Sequence, residues 1–381
     1  YSELRLLHHY ALRNQKQVLA IGAQYMHNNM HRRQQGKGTT GFDYDLTRTD
    51  PNWGRDMWFK TRNVALFAEN IFYLGSRLAV SPGLRVELGE TNATGSISYY
   101  NPEDVPNRIE HRFPLLGISA KYQLPAESQI YAGWSQGYRP VIFKDIVPAS
   151  VLERANKDLQ NAKGYTAETG IRGKVGQWFR YDVGGFYMVY RNRLGNLLLR
   201  DETTGENYVY KTNIGDNRSF GLELFLEATP YRSPDFALTV FTSTAYFNAR
   251  YLDAEVLAGG VNRSVKGNYV EGVPKWTSRN GLQAAWRRWS GSVLFSYVSE
   301  NFADALNTTA PSANGAQGLV PGYSLLDFNA AYRVGNRLTF RLGVNNLTDR
   351  QYYTKRPTFY PGPGIWPSDG RSVQFSVTIR G

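Results

Sequence analysis

The residues of this chain best suited to chemistry on a small molecule are its arginines. Lys and Arg number 44 against 32 Asp and Glu, a formal charge of +12. A guanidinium presents a flat fork of donors that meets a carboxylate through two parallel hydrogen bonds. Arg32 and Arg33, Arg139, and Lys355 with Arg356 stand where ordered segments give way to polar ones. They are the candidate anion ligands, and Gln136 and Asn307 can add neutral hydrogen bonds. Each arginine also has a plainer use, as a solvated charge or as the partner of a nearby acid such as Asp145 or Asp304. Exposed pairs of that kind contribute little stability.

Other chemistries lack their residues. Cysteine is absent, which removes disulfides and thiolate metal sites. The five histidines include the pair His8-His9, but neighbours on a strand point to opposite faces and cannot share a metal there. The Gly-rich segments lack the strand–turn–helix setting of a phosphate loop. No catalytic residue, metal site or cofactor is expected, and the chain reads as a non-enzyme. Basic residues are scattered, with no run beyond His31-Arg32-Arg33, whereas nucleic-acid binding needs them gathered on one face. An anionic small ligand in a basic bore is a better use of the charge.

The elements that must position these residues show a period of two. Val373, Phe375, Val377 and Ile379 alternate with Ser372, Gln374, Ser376 and Thr378. The pattern recurs at 338–344, 326–333, 276–286, 220–228 and 78–86, where Arg341, Asp327, Arg279, Glu223 and Arg85 take the polar face. No apolar stretch reaches the roughly 18 residues of a membrane helix. The segments are about ten residues or longer, as a tilted strand needs to cross a bilayer. A mean hydropathy of -0.46 fits such a wall, because only alternate residues face lipid. Charges on one face exclude the dry interior of a sandwich.

Short and long connections alternate. Short ones fall at Asn14-Gln15, Leu74-Gly75, Pro125-Ala126, Val175-Gly176, Pro230–Pro234, Arg288-Trp289 and Gly335-Asn336. Long polar ones lie near 28–60, 89–110, 138–164, 193–206, 251–274, 301–322 and 350–369. Short periplasmic turns and long extracellular loops describe an outer-membrane barrel. Tyr73, Trp178, Tyr231, Trp286 and Trp289 beside the short turns suit an aromatic girdle. About 15 strands are expected. Bacterial single-chain barrels have an even number, so the expectation is an all-β, transmembrane, antiparallel up-and-down β-barrel wall that does not close alone.

Gly343-Val-Asn-Asn-Leu-Thr-Asp349, with Tyr352, Tyr353 and Gly370-Arg371, resembles the C-terminal end of TonB-dependent receptors. Tyr210-Lys-Thr-Asn-Ile-Gly215 before Gly221-Leu-Glu223, and Pro82-Gly-Leu-Arg85, resemble earlier strands of the same barrels. Trp134-Ser-Gln-Gly-Tyr-Arg-Pro140 with Phe143 and Asp145, Phe302-Ala-Asp304 with Asn307, and Tyr360-Pro-Gly-Pro-Gly-Ile365 are similar to the ferric dicitrate receptor group. The closing Ile379-Arg380-Gly381 departs from the terminal aromatic of such barrels.

The resemblance implies a bacterial outer-membrane location and a 22-strand barrel. Residues 1–381 would be its C-terminal portion, with the first strands, the N-terminal plug and the TonB-binding box lying outside. It implies import of ferric dicitrate or a similar anionic ferric siderophore, with iron present only as part of the cargo. TonB would act through the N-terminal part, and outer-membrane lipid would surround the wall. Arg32, Arg33, Gln136, Arg139, Asn307 and Arg356 would meet the cargo. The rivals are a barrel for cobalamin, an oligosaccharide or a catecholate siderophore, and a porin-like or structural envelope barrel.

Overall fold

The computed structural model describes residues 1–34, 54–98, 101, 107–148, 152–357 and 363–380. One hydrogen-bonded sheet holds 17 strands. Two are short, Glu153–Ala155 and Val261–Ser264. The fifteen long ones are β1 Ser2–Leu12, β2 Gln15–Gln34, β3 Arg55–Leu74, β4 Leu78–Ile97, β5 Arg108–Leu124, β6 Ser128–Arg139, β7 Ala162–Val175, β8 Phe179–Arg200, β9 Asn207–Arg232, β10 Phe236–Ala258, β11 Trp276–Trp286, β12 Trp289–Val298, β13 Tyr323–Val334, β14 Leu338–Asn345 and β15 Ser372–Ile379. Each pairs antiparallel with its neighbour in sequence. Among the described residues no ladder joins β15 to β1. The sheet is all-β, up-and-down and open.

Directly paired residues share a face, so the registers carry one orientation across the whole wall. Leu84 pairs with Leu116, Ile118 with Trp134, and Val183 with Leu224. These join Leu222, Phe295, Phe375 and Val377 in an apolar face, most of it exposed, with Trp134 and Leu224 half-buried. The opposite face carries Gln24, Glu69, Arg85, Glu168, Arg279, Asp327 and Gln374 along the same ladders. A protein in water would not leave so many large apolar residues exposed. In a bilayer they sit in hydrocarbon, and each buried Leu or Phe contributes about 1.5–3 kcal/mol. The other face lines the lumen.

All seven predicted short links are tight turns between consecutive long strands at one end of the sheet. Arg13 and Asn14 both take positive φ, 52° and 61°, which makes the two-residue primed turn that follows the twist of the flanking strands. At the other end the strands run further than their alternation shows. β8, β9 and β10 span 22, 26 and 23 residues, so parts of the segments near 193–206 and 251–274 are strand. Above the bilayer both faces meet water or other loops. The two-residue pattern fades there while the hydrogen-bond ladder continues.

Buried apolar side chains concentrate in two knots at this loop end. Met57, Phe59, Ala93, Ile97, Val141, Phe143, Ile146 and Val147 form one. Tyr251, Ala254 and Val265, with Val256, Val270, Ala305 and Leu306 against them, form the other. At Gly215 (φ 137°) the β9 register shifts against β8, and just after Asp216 it shifts against β10; a Cβ on Gly215 would lie 1.8 Å from the Asp253 carbonyl oxygen. Only glycine fits that bulge.

Candidate functional site

At mid-height the lumen wall carries a cluster of linked polar side chains. Arg85 donates from Nε to Glu87 Oε1 at 2.6 Å and from Nη2 to Gln24 Oε1 at 2.5 Å. Asn63 Nδ2 donates to the other Glu87 oxygen at 2.7 Å, and His111 Nε2 lies 3.0 Å from Asn63 Oδ1. Further round, Tyr131 donates to Asp182 at 3.1 Å, Arg180 sits 3.6 Å from Glu227, and Arg341 donates to Thr378 at 2.8 Å. Two ion pairs stand on this face, Arg85 with Glu87 and Arg180 with Glu227. Asp327 instead accepts the backbone N–H of Asn346 at 2.8 Å. A lining built this way offers water and a polar solute donors and acceptors between apolar residues such as Phe67, Phe113 and Phe186.

Above this lining, residues 140–148 fold across the mouth as a strap. The four-residue helix α1, Phe143–Ile146, follows β6. Its apolar side packs on Met57 and Phe59 of β3 and Ala93 and Ile97 of β4, with the Phe59 and Phe143 rings 4.6 Å apart. Met57 and Phe59 share the lumen column of Asn63 and Phe67, so the strap lies on the inner side of the wall. Arg55 Nη2 donates to the Pro148 carbonyl at 2.6 Å, and Lys211 Nζ to that of Val147 at 3.2 Å. Glu153–Ala155 then adds to Val209–Lys211 of β9 as a parallel strand. The apolar run Val141, Ile142, Phe143 and Ile146-Val147, inside a segment read as polar loop, was the available signal for this knot.

The predicted ligand residues do not converge on one spot. Arg32 pairs in register with Met57 and takes the lumen column. Arg33 takes the opposite face, its Nε 3.4 Å from Asp56. Gln136 lies in the column of Trp134, on the outer face, where its Oε1 accepts from Leu116 N at 2.9 Å. Arg139 is on the lumen column and donates to Asp145 Oδ1 at 2.8 Å. That hydrogen bond stabilises its charged form and raises its pKa. Its buried Nη1 has no hydrogen-bond partner among the described residues. The acid pairing weighed for Arg139 is present.

Asn307 and Arg356 are tied into loops. Asn307, at φ 60°, accepts the Tyr269 N–H at 2.7 Å and donates to the Tyr269 carbonyl at 2.8 Å, the pattern of a β-bridge made by a side chain. Arg356 spends its fork on the Leu319 carbonyl at 2.9 Å, the Gly315 carbonyl at 2.8 Å and the Tyr353 hydroxyl at 2.7 Å. The ferric-dicitrate-like motif near Tyr360 lies partly outside the described residues, since 358–362 are not among them. A network that sequence reasoning did not find joins Arg193, Glu271 and Tyr251, with the Tyr251 hydroxyl donating to Glu271 at 2.6 Å. Among the described residues no cluster of His, Cys, Asp and Glu could hold a metal.

Comparison with known proteins agrees with this wall. The family described as TonB dependent receptor-like, beta-barrel matches residues 5–347. The metal-pseudopaline receptor CntO of Pseudomonas aeruginosa is 24% identical over 273 residues, covering 69% of this chain and 33% of that protein. Hemoglobin-haptoglobin utilization protein B of Neisseria meningitidis is 22% identical over 339 residues, covering 78% of this chain and 40% of that protein. The crystal structure of the unliganded ferric citrate transporter FecA superposes with a TM-score of 0.75 at 20% identity, covering 99% of this chain and 53% of that one. The chain therefore spans about a third to two fifths of the length of these curated relatives. With one face for lipid, one for water, tight turns at one rim and the family match along most of its length, this chain belongs to the TonB-dependent receptor β-barrel family of the bacterial outer membrane.

Proposed function

We propose that this chain forms the C-terminal part of the barrel wall of a receptor that imports an anionic ferric chelate, ferric dicitrate or one like it. The observation that carries the reading is the placement of Arg32 and Arg139 on the lumen column at the mouth, above a lining rich in polar groups. A guanidinium facing a bore with low-dielectric walls attracts a carboxylate-coated complex more strongly than one in open water. The open sheet supports further strands between β15 and β1 in the complete receptor, and TonB would act through segments outside this sequence. Iron enters only as cargo. The relatives support the class and not the cargo, since the names they carry specify different ones.

The test is calorimetric titration of the full-length receptor with ferric citrate. Wild-type protein binds, and Arg32→Ala and Arg139→Ala each weaken binding about tenfold or more, as the loss of a charged hydrogen bond of about 1.5–3 kcal/mol requires. Arg356→Ala leaves affinity nearly unchanged, because its fork is occupied by the loop. Absence of citrate binding together with tight uptake of a neutral chelate sinks the cargo assignment and leaves the barrel standing.

A further inference from the structure

The wall parts between two of its strands near the loop end. The β5–β6 ladder stops at Gly117–Ser135, while β4–β5 continues to Asn92–Arg108 and β6–β7 to Arg139–Ala162. Above Ser135 the two strands separate, and a cleft of about 620 Å³ lies there. Its lining comes from both faces of the sheet. Arg112, Lys163 and Arg191 belong to the outer face, and Phe113, Gly137 and Gly164 to the lumen column. A cleft lined in this way passes through the wall.

Local sequence keeps the inner end of this passage clear. Gly137 and Gly164 stand opposite each other in the β6–β7 register, so that step of the lumen face carries no side chain. A Cβ on Gly137 would meet nothing within 4 Å, whereas one on Gly164 would lie 1.9 Å from the Val189 carbonyl oxygen. The obstruction is a ring. Tyr138 starts from the outer column beside Lys163, yet its ring centroid lies 3.7 Å from that of lumen-facing Phe113. It stands inside the split. Gln136 holds the lower corner by accepting the N–H of Leu116 at 2.9 Å.

The split lies above the hydrocarbon. From Val175 near the turns to Lys163 the strand rises roughly 30 Å, at about 3.3 Å per residue and a tilt near 40°. An apolar band in such barrels is about 25 Å tall with aromatics at its edges, and Trp134, Tyr165 and Tyr187 stand just beneath the split as rings 6.2 and 6.3 Å apart. The charged groups lining the cleft are Glu110, Arg112, Lys163 and Arg191. Glu110 is engaged by Arg108, with Arg112 3.9 Å away. Lys163 and Arg191 are exposed and form no ion pair among the described residues. On the inner side, Arg139 is the next lumen residue above Gly137. Cations flank the passage at both ends.

We propose that this split is a side window through which small anions reach the lumen without passing the mouth, with the Tyr138 ring as its stopper. Charge selects the solute. Exposed cations at the outer end draw an anion in, and low-dielectric walls strengthen the attraction along the passage. Moving the stopper needs only side-chain torsions, because the β5–β6 ladder has already ended below it. The window rests on the division of the wall into lumen and outer faces and not on the identity of the cargo.

This chain has no cysteine, so Ser135→Cys places a reporter thiol on the lumen face just below the split. Intact cells carrying the full-length receptor are treated with anionic sulfonatoethyl methanethiosulfonate or with neutral methyl methanethiosulfonate, and mass spectrometry reads the labelling rate at that position. Adding Tyr138→Ala raises the rate severalfold with both reagents, and Tyr138→Trp lowers it. Lys163→Gln with Arg191→Gln slows the anionic reagent about tenfold and leaves the neutral one unchanged. Asn329→Cys, on the lumen face of β13, keeps its rates in every background. Circular dichroism of the purified variants reads their sheet content. A rate at Ser135→Cys that ignores residue 138 overturns the window, as does an equal change at Asn329→Cys. Equal slowing of both reagents by the two Gln substitutions overturns the selection of anions.

Discussion

The turn-side and loop-side halves of this wall hold together by different means. On the turn side, Leu222 is 63% and Phe375 64% exposed, and the side chains have no protein core to enter. Stability there comes from an unbroken ladder and from lipid. On the loop side, Tyr251 is 2% and Val265 0% exposed, packed in small dry knots made by segments far apart in sequence. The contrast shows that one strand can change its solvent along its length. β10 is a membrane strand at Val240, which faces out beside Leu282, and part of a water-excluding core at Tyr251. A substitution should therefore act locally in the upper half and on the whole insertion in the lower.

The largest effect is expected where the strap is pinned. Phe143→Ala removes a buried ring that packs on Phe59, a change that costs about 3–5 kcal/mol in a packed core. The loss should stay in the knot. Limited proteolysis should cut within 140–161 in the variant and not in the wild type, while heat-induced unfolding of the barrel changes little. A matching fall in barrel melting temperature would erase the distinction between the halves.

Next comes the lipid face. Leu222→Arg places a charge near the middle of the apolar band and should cost about 2–4 kcal/mol. Its neighbour Glu223 points into the lumen, so Glu223→Gln should cost little. Denaturant titration in vesicles reads both. Equal effects at 222 and 223 would mean that the alternation does not divide lipid from water.

Much of the lower half was legible in the sequence because two media impose it. Alternation at Val373–Ile379 and short links such as Asn14-Gln15 mark strands and turns without reference to any distant residue. The fifteen long strands follow from that signal. The upper half was less legible because its contacts are non-local. Nothing near Asn307 in sequence shows that its amide will bridge Tyr269. The same limit separates Arg32 from Arg33: their neighbouring positions suggest one site, and the strand period sends them to opposite faces.

Asn307 gives a prediction of intermediate size. Asn307→Ala removes both hydrogen bonds to Tyr269 and a longer one to the Asp304 carbonyl, and puts alanine at φ 60°, for about 1–3 kcal/mol within the second knot. Asn307→Gly keeps the backbone conformation and should recover part of it. Hydrogen exchange at Tyr269 and Asn268 separates the two roles. Weakened ferric citrate binding with unchanged protection there would make Asn307 a ligand and not a loop bridge.

The smallest effect belongs to the tip of the β8–β9 hairpin, well above the bilayer. Asp201 accepts hydrogen bonds from Thr204 N at 3.0 Å, from Arg154 Nη2 at 2.5 Å and from Thr203 N at 2.9 Å. These donors favour the carboxylate and hold its pKa down to about 2, from an ordinary value of 3.8. A depressed carboxyl contributes stability that is complete above its unfolded value and is lost as pH falls through the folded one. Protection factors of amides in 200–207 should therefore stay level from neutral pH to about 4 and decline between about 4 and 2. Asp201→Asn, which cannot ionise, should flatten that decline. The barrel strands should show no matching step in this window, because the hairpin tip opens without the ladder below it. A decline spread equally over tip and wall would show that the two halves unfold as one unit.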